Sequence, residues 1–485
     1  MNLLILGIDL GTSGVKVGVL DLSTLRLGHV AYRAYDNTPE QDPDVLFEST
    51  FDALQETVST LQDKNHVCAI GLTGQMHGAV LYDRAGAIIP PVINWQDRKF
   101  SSENIVEKIK AIIGPVGPQD TGIDMASGLT GAILLGIKEN RPDLFARIDK
   151  FVLPTDFVRA KLLGRLDPFT DRTNAFSTGL FNTRQSRWHD QIIRDLGLPL
   201  AIFPEVCQAS QIAGELHADI AGRLGLGKSI PVVVGGGDNQ ISMLGSGLTS
   251  PASALLLNIG TAAQISLVTS EYVRVPGVDT RSFFGGAFAL VGASLAGGGS
   301  YQWLRKSIQA ERGVQITYTE MDRLAASVPP GAEGLVFCPG PTREKPQRKM
   351  GFFGNRLYQH SVGHQARAVM EGVLLDLYEL YLRMRAYNSC EFMVGAGKAL
   401  QNSQIWPQIA ADIFGKPLHI THFENALLGA ALTAAVGIGE LENLDAGVAS
   451  LNFDQQFRPQ PEYADRYQDE LVNHWRSVLG LMLYF

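Results

Sequence analysis

A strand, a glycine-rich turn and a second strand open this chain, and the pattern returns near its middle. The first copy runs Leu3-Leu-Ile-Leu-Gly-Ile-Asp9-Leu-Gly11-Thr12-Ser13-Gly14-Val15-Lys-Val-Gly-Val-Leu20-Asp21. An apolar run ends in a turn and resumes with alternating residues, which is the signature of a β-hairpin. The second copy is Ala254-Leu-Leu-Leu-Asn258-Ile-Gly260-Thr261-Ala-Ala-Gln264-Ile-Ser-Leu-Val268. Asp9 and Asn258, the polar residues closing the two first strands, stand just over half the chain apart. A length of 485 residues fits about three domains or two large ones. The repeat predicts two related halves, residues 1–243 and 244–485. The joint is expected within 235–247, after the apolar strand Ile230-Pro-Val-Val-Val234.

The turn carries chemistry. Glycine tolerates positive φ and leaves a phosphate room against the backbone. Thr12 and Ser13 add hydroxyls. Asp9 would repel a phosphate unless Mg2+ stood between them, and Mg2+ is usually held by one or two carboxylates together with phosphates. The same residues also suit a plain hairpin turn. The second copy, with Gly260 and Thr261, tips the reading towards phosphate. Glycine is in excess throughout: 51 residues, where an average of roughly 7% would give about 34. No Gly-X-Y period absorbs them; they sit in clusters.

Charge narrows the partners. There are 41 basic and 49 acidic residues, a net of -8, and no Lys/Arg block. Nucleic acid and anionic membrane are therefore poor partners. A small anionic ligand held by backbone amides remains open. Cys68, Cys207, Cys338 and Cys390 lie far apart, without metal-ligand spacing, and read as free thiols of a reducing cytosol. The apolar start has no basic flank and ends at Asp9, so it does not read as a signal peptide. No apolar run reaches the ~20 residues of a membrane span. A cytoplasmic protein is expected. Ala366, Val369, Met370, Val373, Leu374, Leu377, Tyr381 and Met384 recur at helical spacing and read as core, and 427–436 reads as an Ala-rich helix.

Several further segments stand in a fixed order: Gly74-Gln75-Met76-His77-Gly78, Trp95-Gln96-Asp97-Arg98, Gly236-Gly237-Asp238-Asn239-Gln240, Gly292 to Gly299 followed by Gln302-Trp303-Leu304, and Gly395-Ala-Gly397-Lys-Ala-Leu-Gln-Asn402. With the two hairpins, they resemble the FGGY carbohydrate kinases over essentially the whole chain. The hairpins are similar to that family's two phosphate motifs, and Gly236 to Gln240 to its catalytic motif. The resemblance implies an α/β fold of two actin-like (ribonuclease H-like) domains of duplicated topology with a central cleft. It implies an ATP-dependent kinase acting on a ketose, with sedoheptulose first and xylulose second, and with Mg2+ as cofactor. A homodimer is carried over from the family.

By the same resemblance, Asp238 is the base that takes the sugar's hydroxyl proton. The plainer reading is an Asp capping the helix that follows. Gln75, Met76, His77, Trp95, Asp97 and Asn239 are expected at the sugar, with Arg98 open between a sugar contact and an ion pair with Asp97. Gly11, Thr12, Ser13, Gly260, Thr261, Gly298, Gln302, Gly397 and Asn402 are expected at ATP, and Asp9 with Asp238 at the metal. Gly297 to Gly299 also suit close helix packing. Ala262-Ala263 depart from the Ser-Gly common in the family, which removes a hydroxyl from the second turn. Gly340-Pro-Thr342-Arg343-Glu344 departs in residue order and carries no role. The rival reading is a non-catalytic actin-like filament former or sugar sensor, which would need neither Asp238 nor Met76-His77.

Overall fold

A computed structural model describes residues 3–481 apart from 167, 228, 252, 314, 343–344, 355–358, 423, 449–450, 452 and 454. Its two large sheets repeat one plan. In the first, the strand Leu4–Leu10 pairs antiparallel with Gly14–Asp21, from Leu4 opposite Asp21 to Leu10 opposite Val15. Gly14–Asp21 pairs antiparallel with Arg26–Ala34. On its other side Leu4–Leu10 runs parallel to Val67–Gly74, then comes Pro231–Val233, and the antiparallel Ile212–Glu215 closes the edge.

In the second sheet Leu255–Ile259 takes the place of Leu4–Leu10. Ala263–Thr269 and Phe288–Ser294 follow on one side, both antiparallel. Met393–Ala396 and Leu418–Ile420 follow on the other, both parallel, and the antiparallel Gln455–Phe457 closes that edge. Val278–Ser282 is an extra edge strand beside Phe288–Ser294. The fold is α/β with two actin-like domains of duplicated topology, as the paired hairpins imply. The strand Leu4–Leu10 is apolar almost without a break because both its faces are covered; Ile5, Leu6, Ile8 and Leu10 are all fully buried.

Helices cover the sheets for readable reasons. The helix Pro43–Ser59 starts at a Pro, and the Asp42 carboxylate accepts the Asp44 N–H at 2.9 Å. Its apolar stripe lies on the first hairpin. The helix Val362–Met384 buries every member of the stripe from Ala366 to Met384 in the second core. No described helix is long and apolar enough to cross a membrane.

The two halves interlock. The Ala-rich helix, observed as Asn425–Gly437, comes from the second half but packs on the first sheet. Gly71 makes this possible: a Cβ there would stand 2.0 Å from the Ala430 carbonyl oxygen. The helix Asp238–Gly245 is the joint, and a division after residue 243 falls inside it. It crosses Asn425–Gly437 closely, with Gly429 set against the Ile241 carbonyl.

Candidate active site

Strand pairing sets out the first half of the site. Asp9 lies opposite Thr73, and Thr73 opposite Gly236; one row on, Leu10, Gly74 and Gly237 align. Asp9 and Asp238 therefore emerge together at the carboxyl ends of parallel strands, where open α/β sheets bind ligands. Gly237 holds the N-cap position, and Asp238 is the first helical residue, not the cap. Its Oδ1 accepts the Asn239 N–H at 2.7 Å. Burial pushes Asp238 up to about 6, against a pull from Arg281. Burial, then the charge of Asp238, pushes Asp9 up to about 7, with Lys16 opposing. Two partly buried carboxylates with so little compensation suit a divalent cation.

Among the described residues no three His, Cys, Asp or Glu gather as a metal cage. A carboxylate pair fits Mg2+, which takes its remaining ligands from phosphate and water. Lys16, directly across the hairpin from Asp9, is held by Glu424 at 2.6 Å.

Both phosphate turns have their carbonyls tied back into the protein. In the first, Gly11 O accepts the Tyr35 hydroxyl, Thr12 O accepts Gln41 Nε2 at 2.9 Å, and Ser13 O accepts the Tyr35 N–H at 3.2 Å. In the second, Gly260 O accepts the Gly298 N–H at 2.7 Å and Thr261 O accepts the Gly299 N–H at 3.0 Å. A turn built so has its repulsive oxygens occupied and amides and hydroxyls left to offer an anion. Ser13 and Thr261 are exposed.

On the sugar side, His77 sits at φ 65, a conformation uncommon outside glycine. Its N–H donates to Ser177 Oγ at 3.0 Å, and its Nδ1 meets the Ser177 carbonyl. Burial pushes its pKa down to about 4. The ring is neutral at physiological pH, with Nδ1–H donating to the carbonyl and Nε2 left as an acceptor. Met76 packs on Gly237, where a Cβ would lie 2.8 Å from its sulfur, so the sugar motif touches the residue before Asp238. Gln75 is buried and donates from Nε2 to Gln41 Oε1 at 3.0 Å. Trp95 is 40% exposed, and its Nε1–H donates to the Thr12 hydroxyl at 2.8 Å, which links the aromatic to the phosphate turn.

Asp97 departs from expectation. It is 1% exposed, and its carboxylate accepts the N–H groups of Lys99, Phe100 and Ser101 at 2.8–3.3 Å. It fixes the loop that carries Trp95, with both oxygens already engaged. Arg98 donates to the carbonyls of Trp95 and Asp97, not to the carboxylate.

The nucleotide-side residues gather around the end of the strand Leu255–Ile259. A Cβ on Gly298 would stand 2.8 Å from Gly260 O, and one on Gly397, at φ +88, 2.5 Å from Ile259 O. These glycines bring backbones together behind the second turn, so the packing role raised from sequence for Gly297 to Gly299 is present at Gly298, and Gly397 shares it. Gln302 lies exposed on the helix Gly298–Arg312, and Asn402 exposed after Lys398–Gln401. Asn239 joins the halves: its Nδ2 donates to Gln264 Oε1 at 3.0 Å, and its Oδ1 accepts Arg281 Nη1 at 3.0 Å. Motif reading missed Tyr35, Gln41, Gln264 and Arg281. Lys16 was within reach of it, since hairpin register alone sets it across from Asp9.

Comparison with known proteins agrees with this arrangement. The model of the FGGY family of carbohydrate kinases matches at residues 4–245 for its N-terminal domain and 255–438 for its C-terminal domain. A xylulose kinase of Staphylococcus epidermidis is 31% identical over 96% of this chain and 94% of its own. A xylulose kinase of Escherichia coli is 28% identical over 96% of each. The crystal structure of xylulose kinase from Rhodospirillum rubrum superposes with a TM-score of 0.89 at 25% identity, covering 99% of both chains.

Proposed function

Because the chain belongs to the FGGY family of carbohydrate kinases, enzymes that phosphorylate sugars with ATP, we propose that it phosphorylates the terminal hydroxyl of D-xylulose. The sugar rests on the relatives, which are named xylulose kinases along nearly their whole lengths. Sedoheptulose, placed first from sequence, is not supported by these relatives, and xylulose takes its place.

One observation carries the mechanism: Asp238 opens the joint helix beside Met76, facing Asp9, with its proton affinity raised by burial to about 6. A base of that strength is ionised at neutral pH yet able to take a proton as the O–P bond forms. Asp238 accepts the proton of the sugar's terminal hydroxyl. His77 Nε2 accepts a second hydroxyl, Asn239 orients a third, Gln75 backs the same loop, and Met76 and Trp95 give apolar faces. The amides of Thr12, Ser13, Gly260 and Thr261 receive the charge spread over the phosphoryl oxygens, while Gly11 shapes the first turn through its N–H, held by the Gly14 carbonyl at 3.0 Å. Asp9 and Asp238 are the residues that would hold Mg2+, which supplies positive charge against the β- and γ-phosphates. Gly298, Gln302, Gly397 and Asn402 line the way to the adenosine.

The test is ADP release by the purified protein with D-xylulose, sedoheptulose, D-ribulose and gluconate. The highest kcat/KM is expected with D-xylulose. A higher value with another sugar overturns the substrate, and no sugar-dependent release overturns the kinase reading for this chain. The pH profile adds a second check. Asp238 must be ionised to act, and it holds its proton below about 6. kcat/KM should therefore fall on acidification, about tenfold per pH unit below that point. His77, pushed down to about 4, stays neutral across that range and adds no limb there.

A further inference from the structure

Arg281 belongs to no motif. It lies on the edge strand Val278–Ser282 of the second sheet, yet its guanidinium reaches the start of the joint helix. Nη1 donates to Asn239 Oδ1 at 3.0 Å and Nη2 to Asp279 Oδ2 at 3.1 Å. Its side chain is 15% exposed and lies 6.0 Å from the Phe176 ring. The next residue, Ser177, is the one that holds His77.

Two attachments thus flank Asp238. On one side, Gly236 and Gly237 pair with Val67–Gly74 of the first sheet. On the other, both side-chain polar atoms of Asn239 are held by the second sheet, through Gln264 and Arg281. The carboxylate sits at the one residue between them. Its direction is set by how the two sheets hold that turn.

We propose that Arg281 is a positioning residue for Asp238: it locks Asn239 to the second sheet, so that the carboxylate points at the sugar hydroxyl. The idea rests on Asp238 being the base. A planar guanidinium can grip Asn239 and Asp279 at once; a single ammonium cannot do so in the same geometry.

The experiment compares Arg281→Met, Arg281→Lys and Asn239→Ala in the full chain, with kcat and both KM values. Arg281→Met should lower kcat about tenfold while the KM values for ATP and sugar stay within about twofold. Arg281→Lys should also keep kcat low, because one ammonium does not reproduce the grip on Asn239 and Asp279. Asn239→Ala should lower kcat as well, and it keeps the test open if Arg281→Met does not fold. Wild-type kcat in folded Arg281→Met overturns the proposal. So does a rise in sugar KM alone, which would mark a direct sugar contact. Full sugar-dependent turnover in Asp238→Asn would instead sink the base assignment, whatever Arg281 does.

Discussion

Asp238→Asn is expected to lower kcat by about 10²–10⁴-fold, the usual contribution of a positioned general base. The amide keeps the shape of the carboxylate and can still accept the Asn239 N–H, so the helix start should hold. Stability separates this loss from unfolding. An ordinary Asp titrates at 3.8, and this one at about 6 in the fold. Folding therefore costs about 3 kcal/mol to keep it ionised at pH 7, at 1.36 kcal/mol for each of roughly two units. The sign follows: the cost is absent below the unfolded value, grows as pH rises, and is complete above the folded one. The Asn variant should then melt higher than wild type at pH 7.5 and lose that advantage near pH 4. Dead enzyme with a raised melting temperature would fit the base reading. Retained sugar-dependent turnover would remove it.

The second large effect concerns the fold. Gly71→Ala should cost about 3 kcal/mol, at the upper end of typical overpacking penalties, and lower the melting temperature by about 10 °C. Gly71 lies in the middle of Val67–Gly74, and the new Cβ would stand 2.0 Å from a backbone oxygen of Asn425–Gly437, with Ala434 at 3.2 Å behind it. Neither is the loose end of a side chain. The helix would have to lift, and it also braces the joint helix that carries Asp238, so activity should fall with stability. Gly222→Ala is the control. A Cβ there meets nothing within 4 Å in the short helix Ala218–Leu224, so the change should be neutral or stabilise by up to about 1 kcal/mol. Gly71→Ala melting like wild type would show that the helix does not sit against the strand.

The sequence disclosed what is local and periodic. Two hairpins, each closed by a polar residue and a Gly-Thr turn, foretold the doubled sheet because strand pairing follows from alternation and turn chemistry alone. Other features depend on distant contacts. Arg281 meets Asn239 only because an edge strand folds back beside the joint, and no spacing announces that. Asp97 was drawn to the sugar by its neighbours, while the nearby Ser101 N–H and two further amides claim its carboxylate. The glycine clusters were read as room for ligands. Gly298 and Gly397 also bring backbones together behind the second turn, and Gly71 lets a helix from the far half touch the first sheet. The motifs do not set the sugar because pocket shape comes from packing, and the proposal of xylulose leans on whole-chain likeness rather than on a few shared segments.

The crossing of Asn425–Gly437 onto the first sheet also sets a timetable. A ribosome makes the strands Leu4–Leu10 and Val67–Gly74 before this helix, which starts 351 residues after Gly74 (425 − 74). At about 5–20 residues per second, the bare face around Gly7, Ala69 and Gly71 waits tens of seconds for its cover. The amino-terminal half is thus no finished unit when it leaves the exit tunnel. It stays open to other apolar surfaces until the carboxyl-terminal half arrives to close it. A gene fragment that stops at the midpoint would encode a sheet with one side unclothed.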